Sequence, residues 1–186
     1  MSVTLRFFGA VGTVTGSRFL LECDDEKILV DAGLFQGLRE LRDRNWDPFP
    51  VEVSKISAVV ITHAHLDHCG YLPRLIGQGF TGKIHMTHYT AKLAAVVLRD
   101  SASLQVEDAK YAQKKGYSRH LNPQALYDLN DVRKATSLFK VCRFNENVNL
   151  SEKVNVNFHH SGHILGSSFI SLEISGKRFK IGRAHV

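Results

Sequence analysis

Within six residues the chain places His63, His65, Asp67 and His68, four side chains of the types that ligate divalent metals at neutral pH. In an extended segment residues two apart share a face, so His63, His65 and Asp67 point one way together, while a turn into a helix brings His68 around. One loop can thus furnish ligands to two neighbouring ions. A loop of solvated histidines is the plainer alternative. Ten histidines in 186 residues rarely place three within six, however, and here a hydrophobic strand delivers them at its end.

That strand is residues 56–62, Ile-Ser-Ala-Val-Val-Ile-Thr, a β-branched apolar run of the kind buried on both faces. Helical spacing resumes over 71–78, so the cluster occupies a strand-to-helix junction, where α/β proteins tend to carry function. Upstream, residues 3–8, 18–22 and 27–31 read as three short strands in an antiparallel meander. Residues 83–87 predict a further strand, and 90–114 a helix with a break near 101–103 and a stop at Gly116. A second helix is expected over 123–139, with Asn122 as cap and Pro123 at its first position. Strands return at 140–144, 153–158, 168–174 and from Lys177 onward. Strand-rich halves around central helices predict an α/β protein of stacked sheets with outer helices, and no repeat or interdomain linker interrupts it.

The composition is globular, with 44% hydrophobic and 23% charged residues. The longest apolar run, 93–98, is far short of the roughly 18 residues that span a bilayer, and the N-terminus has no signal-peptide pattern. Cys23, Cys69 and Cys142 are odd in number and widely spaced, as befits buried thiols in a reducing compartment. A cytoplasmic protein without a membrane partner is expected. The net charge of +6 is compatible with a polyanionic partner but does not by itself indicate one. Lys110, Lys114, Lys115 and Arg119, with Tyr111 and Tyr117, could contact RNA phosphates and bases or could simply be a solvated helix end. The glycine-rich loop 9–17 suits a tight turn more than a phosphate cradle.

The run His63-Ala64-His65-Leu66-Asp67-His68 resembles the His-x-His-x-Asp-His signature of the metallo-β-lactamase fold. Gly-Ala-Val-Gly-Thr-Val-Thr-Gly-Ser at 9–17, Val-Asp-Ala-Gly-Leu-Phe-Gln-Gly at 30–37, Asn-Trp-Asp-Pro-Phe-Pro at 45–50 and Gly-His-Ile-Leu-Gly-Ser at 162–167 are similar to its bacterial β-CASP branch of RNA-processing nucleases. The resemblance implies an αββα sandwich and a two-zinc hydrolase of RNA phosphodiester bonds. It makes His63, His65 and His163 the ligands of one zinc, and Asp67 and His68 ligands of the second. His159 and His160 lack the context of His163, and His85, His88 and His120 have no motif support. Three neutral imidazoles leave a tetrahedral Zn²⁺ one open position, for a water whose pKa falls to about 7. A second ion about 3.5–4 Å away would share that hydroxide and offset charge during in-line attack, so no covalent nucleophile is needed. Asp31 matches the family's first motif, in which a carboxylate orients a ligand histidine; a turn-forming Asp before Gly33 is the alternative.

Two family metal ligands have no counterpart here, the bridging Asp of a Ser-Gly-Asp segment and a later histidine, and the β-CASP domain is absent. The ending Ile-Gly-Arg-Ala-His-Val is also the translation of ATCGGAAGAGCACACGTC, part of a common sequencing adapter. The expected organisation is therefore an N-terminal part of a metallo-β-lactamase domain over 1–179, incomplete at its C-terminus, and a non-native tail over 180–186, with His185 discounted. One well-formed zinc site, one weak one and impaired hydrolysis are expected of this chain, and RNA and possible self-association of the full-length parent. The rival readings are a non-catalytic RNA-binding or scaffolding relative, and a thioester or lactone hydrolase on the same fold.

Overall fold

The computed structural model describes residues 2–116 and 123–182. β1 (Thr4–Phe7), β2 (Phe19–Cys23) and β3 (Glu26–Val30) form the expected antiparallel meander. β4 (Ala58–Val60), β5 (Lys83–Thr87) and β6 (Phe139–Cys142) then add in parallel, completing one six-stranded sheet in sequential order. Parallel neighbours require crossovers. These carry α1 (Arg39–Asp43), then α2 (Leu66–Cys69) and α3 (Leu72–Gly77), then α4 (His88–Lys115) and α5 (Leu129–Ser137). β7 (Asn147–Asn149), β8 (Val154–His160), β9 (Ser168–Ile174) and β10 (Lys177–Ile181) make a second, antiparallel sheet.

Strand alternation sorts the core into two layers. Ile28, Val30, Ala58 and Val60 meet Val156, Phe158, Ile170 and Leu172 of the second sheet. On the opposite face Leu29, Val59, Ile84 and Met86 pack on Leu72, Leu75, Ala94, Leu98 and Val132 of the helices. β4 is buried on both faces, which is why its sequence is apolar without alternation. The described residues thus supply a helical layer and two sheets, the α/β architecture expected of an incomplete αββα sandwich. Among them no helix is long and apolar enough to cross a membrane.

Local chemistry corrects several boundaries. α4 runs unbroken through 101–103, because Ser101 and Ala102 are its buried face and the Ser101 hydroxyl bonds the Tyr127 hydroxyl at 2.8 Å. It stops at Gly116, whose φ of +64° suits glycine, as expected. α5 begins at Leu129 rather than at Pro123. Asp128 caps it by accepting from the backbone of Asn130 and Asp131, while the Asp131 side chain accepts from the backbone of Asp128. Leu126 and Tyr127, just upstream, are instead committed to the core, and the expected cap Asn122 lies outside the described residues. β7 escapes the sequence pattern because it is three residues long and mostly polar. β10 pairs Lys180 with Ser171 and Ile181 with Ile170, so the strand expected from Lys177 onward extends to Ile181.

All three cysteines are buried and free, as expected, and burial raises the Cys69 and Cys142 thiols above their ordinary range, which disfavours their thiolates. Buried His85 on β5 behaves likewise: desolvation, reinforced by Lys140, lowers its pKa from 6.5 to about 4. The folded chain therefore keeps this ring neutral where the unfolded chain already binds a proton. Its contribution is whole above pH 6.5 and is lost as pH falls from 6.5 to about 4. Urea unfolding across that interval should show His85→Gln losing less stability on acidification than the parent chain; equal losses would contradict the assignment.

Candidate metal centre

The chain leaves the first sheet at Ile61, whose N–H donates to the His85 carbonyl, and runs extended through His63 to His65 before the single turn of α2. One turn of helix is not stable alone. Its carbonyls are fastened from outside: Leu66 accepts from Leu34 N–H (2.9 Å), Asp67 from Ser17 N–H (2.9 Å) and His68 from Ala32 N–H (2.7 Å). Gly33 makes this approach possible, since a Cβ there would lie 1.7 Å from the Asp67 carbonyl oxygen. Arg18 holds the cradling loop. Its guanidinium donates to the Gly33 carbonyl and the Asn45 side chain and lies 3.9 Å above the Tyr71 ring, and burial lowers its pKa to about 10.

His163 arrives from the second sheet, on the connection between β8 and β9. The Ser167 hydroxyl accepts from the His163 and Ile164 amides, each at 3.1 Å. Thr87 and Thr90 donate to the Gly166 carbonyl at 2.6 and 2.8 Å. Gly166 has φ +81°, and a Cβ there would lie 2.5 Å from the Thr90 nitrogen, so both its conformation and its close approach favour glycine. The Ser168 amide and hydroxyl donate to the Thr62 carbonyl, tying this connection to the end of β4.

The two segments converge. One ligand atom each of His63, His65 and His163 lies within 4.8 Å of the others, and His163 Nε2 is 3.2 Å from His65 Nδ1. That separation serves a hydrogen bond in one protonation state and shared ligation of a cation in another. His63 is buried, His163 half-buried and His65 exposed, so the group opens to solvent on one side. The His68 ring lies tilted against His63 with centroids 4.0 Å apart, and its Nε2 lies 3.6 Å from Asp67 Oδ2 and 3.5 Å from Ser17 Oγ. Its Nδ1 is 2.7 Å from Asp31 Oδ2. Asp31 also accepts from the Thr62 amide at 2.8 Å and from the Thr62 hydroxyl, which lies 3.0 Å from His63 Nδ1.

All five expected ligand residues therefore meet at one end of the sandwich, with Asp31 against the ring of His68. Three imidazole donors and an adjacent Asp–His pair are a donor set that fits borderline divalent ions. His159 and His160 lie apart, engaged with Asn145, Ser171 and Phe144, while His120 and His185 lie outside the described residues. Sequence reasoning missed Thr62, Ser167 and Arg18; the available signal was a hydroxyl immediately before the first histidine and another closing the Gly-His-Ile-Leu-Gly-Ser run.

Residues 20–179 match the family model described as a metallo-beta-lactamase superfamily domain. The chain belongs to this superfamily. Among its curated relatives, Ribonuclease TTHA0252 of Thermus thermophilus is 33% identical over 91% of this chain and 35% of its own length. Transcription termination factor FttA of Methanocaldococcus jannaschii is 23% identical over 92% of this chain and 25% of its own. Integrator complex subunit 11 of Danio rerio is 26% identical over 91% of this chain and 27% of its own. The chain thus spans about a quarter to a third of the length of these relatives. A metallo-β-lactamase structure from Cronobacter sakazakii superposes with TM-score 0.57 at 20% identity, covering 91% of this chain and 58% of that one, which shows the shared fold. Metallo-β-lactamase membership implies a divalent metal, and the histidine group is where this chain offers one a place.

Zinc titration of the 186-residue chain should give about one tight equivalent; two equally tight ions would contradict the inequality of the two donor groups. Gly33→Ala should destabilise the chain by about 1–3 kcal/mol in chemical denaturation, through forced separation of the cradle from α2. A neutral substitution would show that the contact relaxes freely.

Proposed function

We propose that the chain is the N-terminal part of a zinc-dependent, cytoplasmic ribonuclease of the β-CASP branch, in which His63, His65 and His163 hold one ion and Asp67 and His68 contribute to a second. The convergence of three imidazole donors within 4.8 Å, drawn from both sheets, carries the reading. Nitrogen donors favour zinc over magnesium or calcium. A bound zinc supplies a Lewis acid that favours ionised water at neutral pH and offsets charge building on a phosphoryl oxygen.

The protein's own groups supply the positioning. Asp31 holds His68 through Nδ1 and turns Nε2 toward Asp67. The exposed flank at His65 leaves a side from which a phosphodiester can approach. A groove of about 740 Å³ leads away from Leu66, past Phe35 and the half-exposed Trp46, to Ala112 near the end of α4. Lys110, Lys114, Lys115 and Tyr111 lie on that end of the helix, a combination of charge and ring suited to single-stranded RNA; Tyr117 and Arg119 fall outside the described residues. The names of the relatives, a ribonuclease and a transcription termination factor, support RNA over a thioester or lactone. The same proposal leaves residues 180–186 outside the native chain, which genomic sequence beyond the Phe179 codon decides.

The complete protein, loaded with zinc, should cleave single-stranded RNA, lose that activity on chelation, and lose it again in His65→Ala. Turnover of a thioester or lactone without RNA cleavage, or RNA binding without cleavage, would overturn the proposal.

A further inference from the structure

The hydroxyl of Thr62 occupies a position that the His-x-His-x-Asp-His spacing does not explain. It lies 3.0 and 2.8 Å from the two oxygens of Asp31 and 3.0 Å from Nδ1 of His63. Asp31, Thr62 and His63 are 1%, 1% and 2% exposed, so bulk water does not compete for these contacts. A hydroxyl has one proton to donate, and carboxylate oxygens accept. With its proton on Asp31, Thr62 Oγ1 faces His63 as an acceptor, and the ring must meet it with Nδ1–H. A neutral imidazole protonated at Nδ1 carries its lone pair on Nε2. The direct contact of Asp31 with His68 Nδ1 has the same effect on that ring.

We infer that Thr62 is a positioning residue: its hydroxyl extends the hold of Asp31 to His63, so that one buried carboxylate fixes the ligand nitrogen of a histidine in each donor group. The hydrogen-bond order stands on the contacts alone, and its use rests on the proposed metal centre. Threonine suits the position because its branched Cβ restricts χ1 and keeps the hydroxyl aimed between its two partners. Valine would keep the shape and remove the relay, whereas serine would keep the relay.

Long-range proton–nitrogen NMR of the metal-free 186-residue chain reads which nitrogen of His63 bears the proton, and chelator competition reads zinc affinity. The parent and Thr62→Ser should show Nδ1–H at His63 and matched affinity. Thr62→Val should lose that preference and bind zinc about 10–100-fold more weakly. A parent His63 protonated at Nε2, or a Thr62→Val chain that holds zinc as tightly as the parent, would overturn the inference. If Thr62→Val does not fold, the parent spectrum and the Thr62→Ser pair decide. Failure of the parent to bind zinc would refute the metal centre, and the spectrum would still decide the role of Thr62.

Discussion

A carboxylate withdrawn from water persists in a folded protein only where enough donors converge on it. Asp31 is 1% exposed and sits in the left-handed backbone region at φ +59°, one residue beyond β3. Its donors are the Thr62 amide, the Thr62 hydroxyl and the His68 ring, all from the chain that follows β4. They can reach it only if β3 and β4 pair in register, Val30 beside Val60, with the Asp31 amide donating to the Val60 carbonyl. Sheet register and histidine placement are therefore one specification. Aspartate can occupy this position because it tolerates the left-handed region better than most residues with a Cβ.

The remaining supports are close approaches between segments distant in sequence. Gly33 brings the loop after β3 against the Asp67 carbonyl, and Gly166 brings the β8–β9 connection against the start of α4. Hydroxyls of Thr87, Thr90, Ser167 and Ser168 satisfy the backbone that these approaches bury. Arg18, enclosed by Tyr71, Phe35 and Phe49, fixes the loop that closes over α2. Each of these groups acts through backbone or a neighbouring ring.

What was legible in the sequence follows from how local each signal is. The buried strand before His63, the meander and the stop at Gly116 depend on short-range patterns, and all are present, the strand shorter than expected at Ala58–Val60 within 56–62. The His-x-His-x-Asp-His cluster is equally local. The continuity of α4 is not legible because its deciding partner is tertiary, Tyr127 meeting Ser101 across 26 residues, and the start of α5 follows the capping Asp128 rather than Pro123. Thr62 and Ser167 carried no periodic signal at all. Their importance comes from the one atom each directs, which spacing cannot reveal. His163 required the family resemblance, since in the residues alone it was one of three nearby histidines.

His65 and His163 are 98 residues apart, one at the cap of α2 beyond the first sheet and the other on the β8–β9 connection of the second. A cation gripped by both would join those sheets as a cross-link joins two layers, spanning most of the described chain with a single reversible bond set. Its release and the loosening of one sheet from the other would then be linked equilibria, so holding the ion and holding the sandwich together would draw on the same free energy.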